Sequence, residues 1–270
     1  MILTNKNIMK TIPTLALIAA GAVLITSTPL CASETDDRIE SSFIKSYAYK
    51  VYLKDDAIKT ESRDGVVTLT GQVNETSHRH LAQETVAGLP GVRSVDNRLG
   101  VKLEGTEKSD TWIRAKVRSV LALHRNVSGS KTEVDIKDGV ITLRGAATSE
   151  AQKELATEYA EDVKGVLRVT NVMTVVKTEA KPDETVLERI DDVSITAQVK
   201  VALLLHHSTS SISTKVETTD GVVTVSGVAS NLAEKTLVTK LATDISGVKS
   251  VVNNMTMALA VSESGSKPAR

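Results

Sequence analysis

Asp138-Gly139-Val140-Ile141-Thr142-Leu143-Arg144-Gly145 reads as a tight turn running into a strand. Asp and Gly tolerate the positive φ that a two-residue type I′ hairpin turn requires. The β-branched run behind them favours an extended chain, and Gly145 closes it. The pattern also stands upstream as Asp64-Gly65-Val66-Val67-Thr68-Leu69-Thr70-Gly71 and downstream as Asp220-Gly221-Val222-Val223-Thr224-Val225-Ser226-Gly227. Gly65, Gly71, Gly91 and Asn97 recur 74 residues later as Gly139, Gly145, Gly165 and Asn171, and a further 82 residues later as Gly221, Gly227, Gly247 and Asn253. Asp36, Asp110 and Asp192 keep the same offsets. A period of this length means tandem copies of one small unit.

Around each hairpin the order is helix, strand, strand, helix, strand. The opening Asp stands where an N-cap accepts orphan backbone N–H groups. Apolar residues then follow at helical spacing: Ile39, Phe43, Tyr47; Ile113, Val117, Leu121; Ile195, Val199, Leu203. A polar loop such as 126–130 leads to the hairpin, which pairs 132–137 with 140–144. Asn74, Thr148 and Ser230 are candidate caps of the second helix. Gly91, Gly165 and Gly247 match its C′ position, where left-handed backbone favours Gly. A closing strand follows each of them. The fold class is therefore α+β: three tandem αββαβ units, each a three-stranded sheet with two helices on one face. Asn97, Asn171 and Asn253 share parity with the apolar positions of their strands; either a ligand contact or the satisfaction of nearby backbone groups explains them.

The expected organisation is an export signal over 1–33, units over 34–103, 109–176 and 189–258, and a disordered tail over 259–270. Lys6 and Lys10, the apolar run 12–25 and Cys31-Ala32-Ser33 fit a cleaved signal, since the run is shorter than the roughly 20 residues of a membrane span. Cys31 is the only cysteine. Pro29 and Leu30 before it suit lipid attachment badly, so it is lost with the signal, and the mature chain forms no disulfide. The linker 176–190 carries Lys181-Pro182-Asp183-Glu184 and reads as extended. Among all 270 residues, 33 basic side chains balance 33 acidic ones, which argues against a nucleic-acid-binding surface. Few aromatics (Phe43, Tyr47, Tyr49, Tyr52, Trp112 and Tyr159) argue against a stacking platform.

The closing motif reads Gly91-Val92-Arg93-Ser94-Val95-Asp96-Asn97, Gly165-Val166-Leu167-Arg168-Val169-Thr170-Asn171 and Gly247-Val248-Lys249-Ser250-Val251-Val252-Asn253. With the opening Asp and Ile, the Asp-Gly turn and the Gly-ended strand, it resembles the BON family (bacterial OsmY and nodulation domain). Three in-register matches cover nearly all the mature chain. Unit one departs in its first helix, where Ser46 and Lys50 replace apolar or small residues. The resemblance implies an αββαβ fold, residence in the periplasm, no catalysis and no cofactor, binding of anionic phospholipid, and a part in envelope integrity under osmotic or envelope stress. The other reading from a different class is a periplasmic chaperone or protein-interaction adaptor for envelope or unfolded client proteins.

No Ser-His-Asp arrangement, Gly-rich phosphate loop or spaced metal motif is present in the sequence. His78-x-His80 opens a helix, where residues two apart face different sides, so it does not chelate a metal. His206-His207 ends a helix and suits its dipole. The membrane reading falls on the first helix of unit two. There Arg114, Lys116, Arg118 and Arg125 outnumber Asp110 beside the only tryptophan, Trp112. Trp112, Lys116, Ser119 and Leu123 form one line along that helix. The predicted membrane-binding set is thus Trp112, Arg114, Lys116, Arg118, Leu123 and Arg125. The competing reading is a solvated basic face with Trp112 packed on a sheet edge or a neighbouring unit.

Overall fold

The computed structural model describes residues 34–102, 109–127, 132–176, 190–209 and 214–258. The predicted export signal with Cys31, most of both predicted linkers, the predicted tail, and 128–130 of the predicted polar loop lie outside the described residues. Unit one contains α1 (Glu34–Lys45), β1 (Ala57–Arg63), β2 (Val66–Val73), α2 (Thr76–Ala87) and β3 (Ser94–Val101). Unit two contains α3 (Asp110–Leu123), β4 (Thr132–Lys137), β5 (Val140–Ala147), α4 (Glu150–Glu161), β6 (Arg168–Asn171) and β7 (Thr174–Val175). Unit three contains α5 (Asp192–Leu205), β8 (Thr214–Thr219), β9 (Val222–Ala229), α6 (Leu232–Thr243), β10 (Ser250–Asn253) and β11 (Thr256–Met257).

In every unit the second hairpin strand is central. It pairs antiparallel with the first strand and parallel with the closing one, and the registers repeat: Val67↔Val95, Ile141↔Val169 and Val223↔Val251. The closing strands of units two and three are interrupted, yet both halves stay on the same central strand without slipping, Leu143↔Asn171 followed by Ala146↔Thr174. The turn residues Asp64, Asp138 and Asp220 all have φ of 51°, and each following Gly is also positive, as a type I′ turn demands. At Gly65 a Cβ would stand 2.5 Å from the Gly91 carbonyl oxygen, so this position excludes a side chain on space as well as on φ.

The opening aspartates do something other than cap their helices. Ser109 and Asp191 are the N-caps of α3 and α5, accepting from the N–H groups of Trp112 and Ser194. That moves Asp110 and Asp192 into the first turn, from where their carboxylates reach the hairpin. Asp36 accepts from the N–H groups of Asp64 and Gly65, both at 3.0 Å. Asp110 accepts from Asp138 and Gly139 at 2.8 and 3.0 Å, and Asp192 from Asp220 and Gly221 at 2.7 and 2.8 Å. The second helices start one residue later than expected, at caps Ser149 and Asn231, with Glu75 in the equivalent place of α2. Gly91, Gly165 and Gly247 have positive φ but lie past the helix ends, because α2, α4 and α6 stop at Ala87, Glu161 and Thr243. Their missing side chains let the loop lie against the first helix: a Cβ on Gly165 would meet Ile113 at 3.0 Å.

The units join through their helices. On α5, Ile195, Val199 and Leu203 are buried, but so are Ala197, Val201 and Ala202 on other faces. A helix apolar on all sides is covered on all sides, and α2 and α3 supply the second cover. Gln198 Oε1 accepts from the Tyr52 hydroxyl at 3.1 Å, and Lys200 Nζ meets Glu84 Oε2 at 2.9 Å. The departure of unit one at Ser46 belongs to this contact. After Lys45 the chain breaks its α-helix, and a π-helical turn, Tyr49–Leu53, follows. The freed N–H groups of Tyr47 and Ala48 donate to Asp191 Oδ2 and Ser194 Oγ at 2.9 and 3.0 Å. Units two and three meet through two antiparallel bridges, His124↔Ile245 and Val163↔His206.

Candidate functional site

Helix α3 carries the predicted membrane-binding residues, and its surroundings divide them. Ile113, Val117, Val120 and Leu121 point into the core. Arg114 and Arg118 lie on the exposed side. Trp112 is half-buried against the core, and Lys116 Nζ sits 4.0 Å from its ring centroid in a cation–π contact. Ser119, next on the same line, donates to Glu75 Oε2 at 2.5 Å and lies 2.8 Å from Ser77 Oγ. That flank of α3 therefore faces unit one. Leu123 is only 3% exposed and is removed from any lipid-facing set: the line it shares with Trp112 turns inward between units. Arg125 has an exposed side chain whose Nη1 donates to the Val248 carbonyl at 3.1 Å, tying it to unit three. The structure thus brings Arg114 and Arg118 together on one open face and places Trp112 on the opposite flank. Summed window charge could not reveal this, because it ignores which side of a helix each charge occupies.

The remaining polar groups are mostly structural. Asn97, Asn171 and Asn253 bolt the closing strand to the second helix. Asn171 Nδ2 donates to the Lys153 carbonyl and to Thr157 Oγ1, both at 2.9 Å, and Asn171 Oδ1 accepts from Met173 N–H at 3.0 Å. The other two repeat this with Arg79 and Gln83, and with Lys235 and Thr239. His78 Nδ1 lies 2.6 Å from Asp56 Oδ2, while His80 opens onto a 210 Å³ cleft with Glu84, Lys200 and Leu204. Burial, reinforced by Arg79, holds His80 below the ordinary histidine range. His206 does end α5, as its C-cap, and it is also buried at a junction with His124, a pairing that spacing alone did not suggest. The 82-residue offset between the two was its only trace in the sequence. Among the described residues no group of three or more His, Cys, Asp or Glu side chains is placed to hold a metal, and no helix is long and apolar enough to cross a membrane.

The repeated αββαβ units belong to a known class, and the chain is a member of the BON domain family, whose model matches residues 35–102, 109–177 and 191–258. Osmotically-inducible protein Y of Escherichia coli (strain K12) is 35% identical over 151 residues, spanning 56% of this chain and 74% of that protein. The 21 kDa hemolysin of Actinobacillus pleuropneumoniae is 30% identical over 146 residues, 53% of this chain and 75% of the relative. Outer membrane lipoprotein DolP of Haemophilus influenzae (strain ATCC 51907 / DSM 11121 / KW20 / Rd) is 28% identical over 168 residues, 58% of this chain and 85% of the relative. Relatives of this BON chain thus include one named for osmotic induction and one named for the outer membrane.

Proposed function

We propose that this is an exported, periplasmic, non-enzymatic protein that supports the envelope under osmotic or envelope stress and touches anionic phospholipid peripherally. The observation that carries the lipid contact is the pair of exposed guanidinium groups, Arg114 and Arg118, one turn apart on the open face of α3. Each basic residue near an anionic surface contributes about 1 kcal/mol, so the pair supports a weak, salt-sensitive association. Trp112 is half-buried against the core with Lys116 over its ring, so this reading does not draw on it as an insertion anchor. Helix α4 presents Glu150, Glu154 and Glu161 as exposed acids, so the membrane is met by the α3 face alone.

Co-flotation with phosphatidylglycerol vesicles tests this. The double variant Arg114→Glu/Arg118→Glu is expected to bind at least about 30-fold more weakly, the equivalent of about 2 kcal/mol. Trp112→Ala should bind within about twofold of the wild type. Wild-type flotation that is absent, or unaffected by the double variant, overturns the lipid reading. A second reading, a chaperone or adaptor for envelope proteins, draws on the edge strand β6, whose neighbour Leu167 is 78% exposed. An extended client segment can add to such an edge. Client aggregation unchanged by an equimolar amount of this protein removes that reading.

A further inference from the structure

We propose that the His124–His206 contact is a pH-sensitive latch, holding units two and three together while the pair carries a single proton between the rings and opening when both facing nitrogens are protonated. Helices α3, α4, α5 and α6 end in His124, Asp162, His206 and Asp244, and all four cap residues converge on one place. The two histidines are 1 and 2% exposed, and their Nε2 atoms stand 3.1 Å apart. That distance is a hydrogen bond, so one ring donates and the other accepts.

The surroundings fix which. His206 Nδ1 lies 2.8 Å from Asp162 Oδ2, so it carries a proton, and in the neutral ring His206 Nε2 is then the acceptor. His124 must then donate from Nε2. Its Nδ1 is 3.3 Å from Asp244 Oδ2 without the alignment of a hydrogen bond, and Asp244 Oδ2 already accepts from the Tyr159 hydroxyl at 2.7 Å. This is the arrangement of the pair with neither ring charged. His206 is held by the Asp162 carboxylate of unit two, and Tyr159 of unit two stacks on His124 with centroids 4.2 Å apart. The other groups facing the cluster are Asn126 on Asp244, Ser208 on Asp162, and the Glu158–Lys240 pair, 3.1 Å apart near the rim.

A first added proton has one place to go, His124 Nδ1 opposite Asp244, and the contact survives it. Burial opposes even this step, with the neighbouring His206 ring and against the pull of Asp244. A second proton can enter only at His206 Nε2. Two N–H groups on like-charged rings would then confront each other at 3.1 Å, and the contact cannot persist. In unit one the positions equivalent by the repeat offsets are Lys50 and Gly88, so this junction is unique to units two and three.

Hydrogen exchange on the full chain reads the latch through two amides that bond across the junction: Arg125 N–H to the Asp244 carbonyl and His207 N–H to the Asp162 carbonyl. After correction for intrinsic rates, lowering the pH from about 7.5 to about 5 should cut their protection at least about tenfold, because the open form binds protons that the closed form refuses. Protection of Leu143 and Val225 in the central strands should hold. In His124→Gln/His206→Gln the pH dependence should vanish. Imidazole ¹⁵N shifts of the wild type decide the matter if that variant does not fold: rings that become protonated in step with the loss support the latch. Unchanged protection, a loss that occurs while both rings stay neutral, or a loss that persists in the variant overturns it.

Discussion

Asp36, Asp110 and Asp192 occupy equivalent places yet differ in consequence. Asp36 is buried and takes a third hydrogen bond, from Ser62 Oγ at 2.6 Å, whereas Asp110 and Asp192 are half-buried. Removing a buried acceptor strands its donors, which costs more than the bond itself contributes. Asp36→Ala should therefore destabilise the chain by about 2–4 kcal/mol, and Asp110→Ala or Asp192→Ala by about 1 kcal/mol. Urea denaturation checks this as a shift of midpoint at unchanged slope. These residues also mark the limit of sequence reading at this scale. An acidic residue ahead of an apolar stripe resembles a cap, and a backbone N–H 28 or 29 residues away is invisible to local spacing. Asn171 is similar: its local partner, Met173 N–H, follows from the tendency of Asn to bond nearby backbone, while Lys153 and Thr157 do not.

At the scale of the element, α5 differs from α1 and α3. The run Val193-Ser194-Ile195-Thr196-Ala197-Gln198-Val199-Lys200-Val201-Ala202-Leu203-Leu204-Leu205 is apolar around its circumference, a pattern that announces burial on both sides. The units, the order of helices and strands along each, and the pairing of the hairpin were legible because each depends on local turns and apolar periodicity. Which helices cover α5 was not, because that contact is between copies and no period encodes it. The same blindness put Leu123 on a membrane surface. The covered side of α5 gives a direct test. Val201→Glu places a charge between units one and three and should cost about 3 kcal/mol or more, with unit one released from α5. Leu204→Glu, at a partly exposed position on the same cleft, should cost less than about 1 kcal/mol. Small-angle scattering, expected to expand for Val201→Glu alone, together with calorimetry, separates the two.

Across the molecule, three copies of one unit are made unequal by what lies between them. Unit one lends a broken helix to the N-terminus of α5, and units two and three share a line of half-buried Asp162 and buried His206, His124 and Asp244. This shared line makes stability depend on pH, in a direction that follows from its groups. His124 is held below the ordinary histidine value of 6.5, chiefly by burial, so below that pH the unfolded chain takes a proton that the folded chain resists. The stabilisation is complete above pH 6.5 and is lost as pH falls toward the depressed folded value. Asp162 is also lowered: burial works against this, but hydrogen bonds from His206 and Ser208 outweigh it. Its contribution is present above the ordinary value of 3.8 and disappears only below that. The unfolding midpoint should thus be flat above about pH 7, fall over the range from about 6.5 to 5, and fall again below about 4. His124→Gln should shrink the first descent to the share that half-buried His80 contributes and keep the second, whereas Asp162→Asn should keep the first, shrink the second and lower the plateau, since His206 Nδ1 then loses its carboxylate. Thermal melts across pH 3–8 measure both limbs; a single descent confined to the carboxylate range would show that His124 takes up its proton equally well in the folded and unfolded chain.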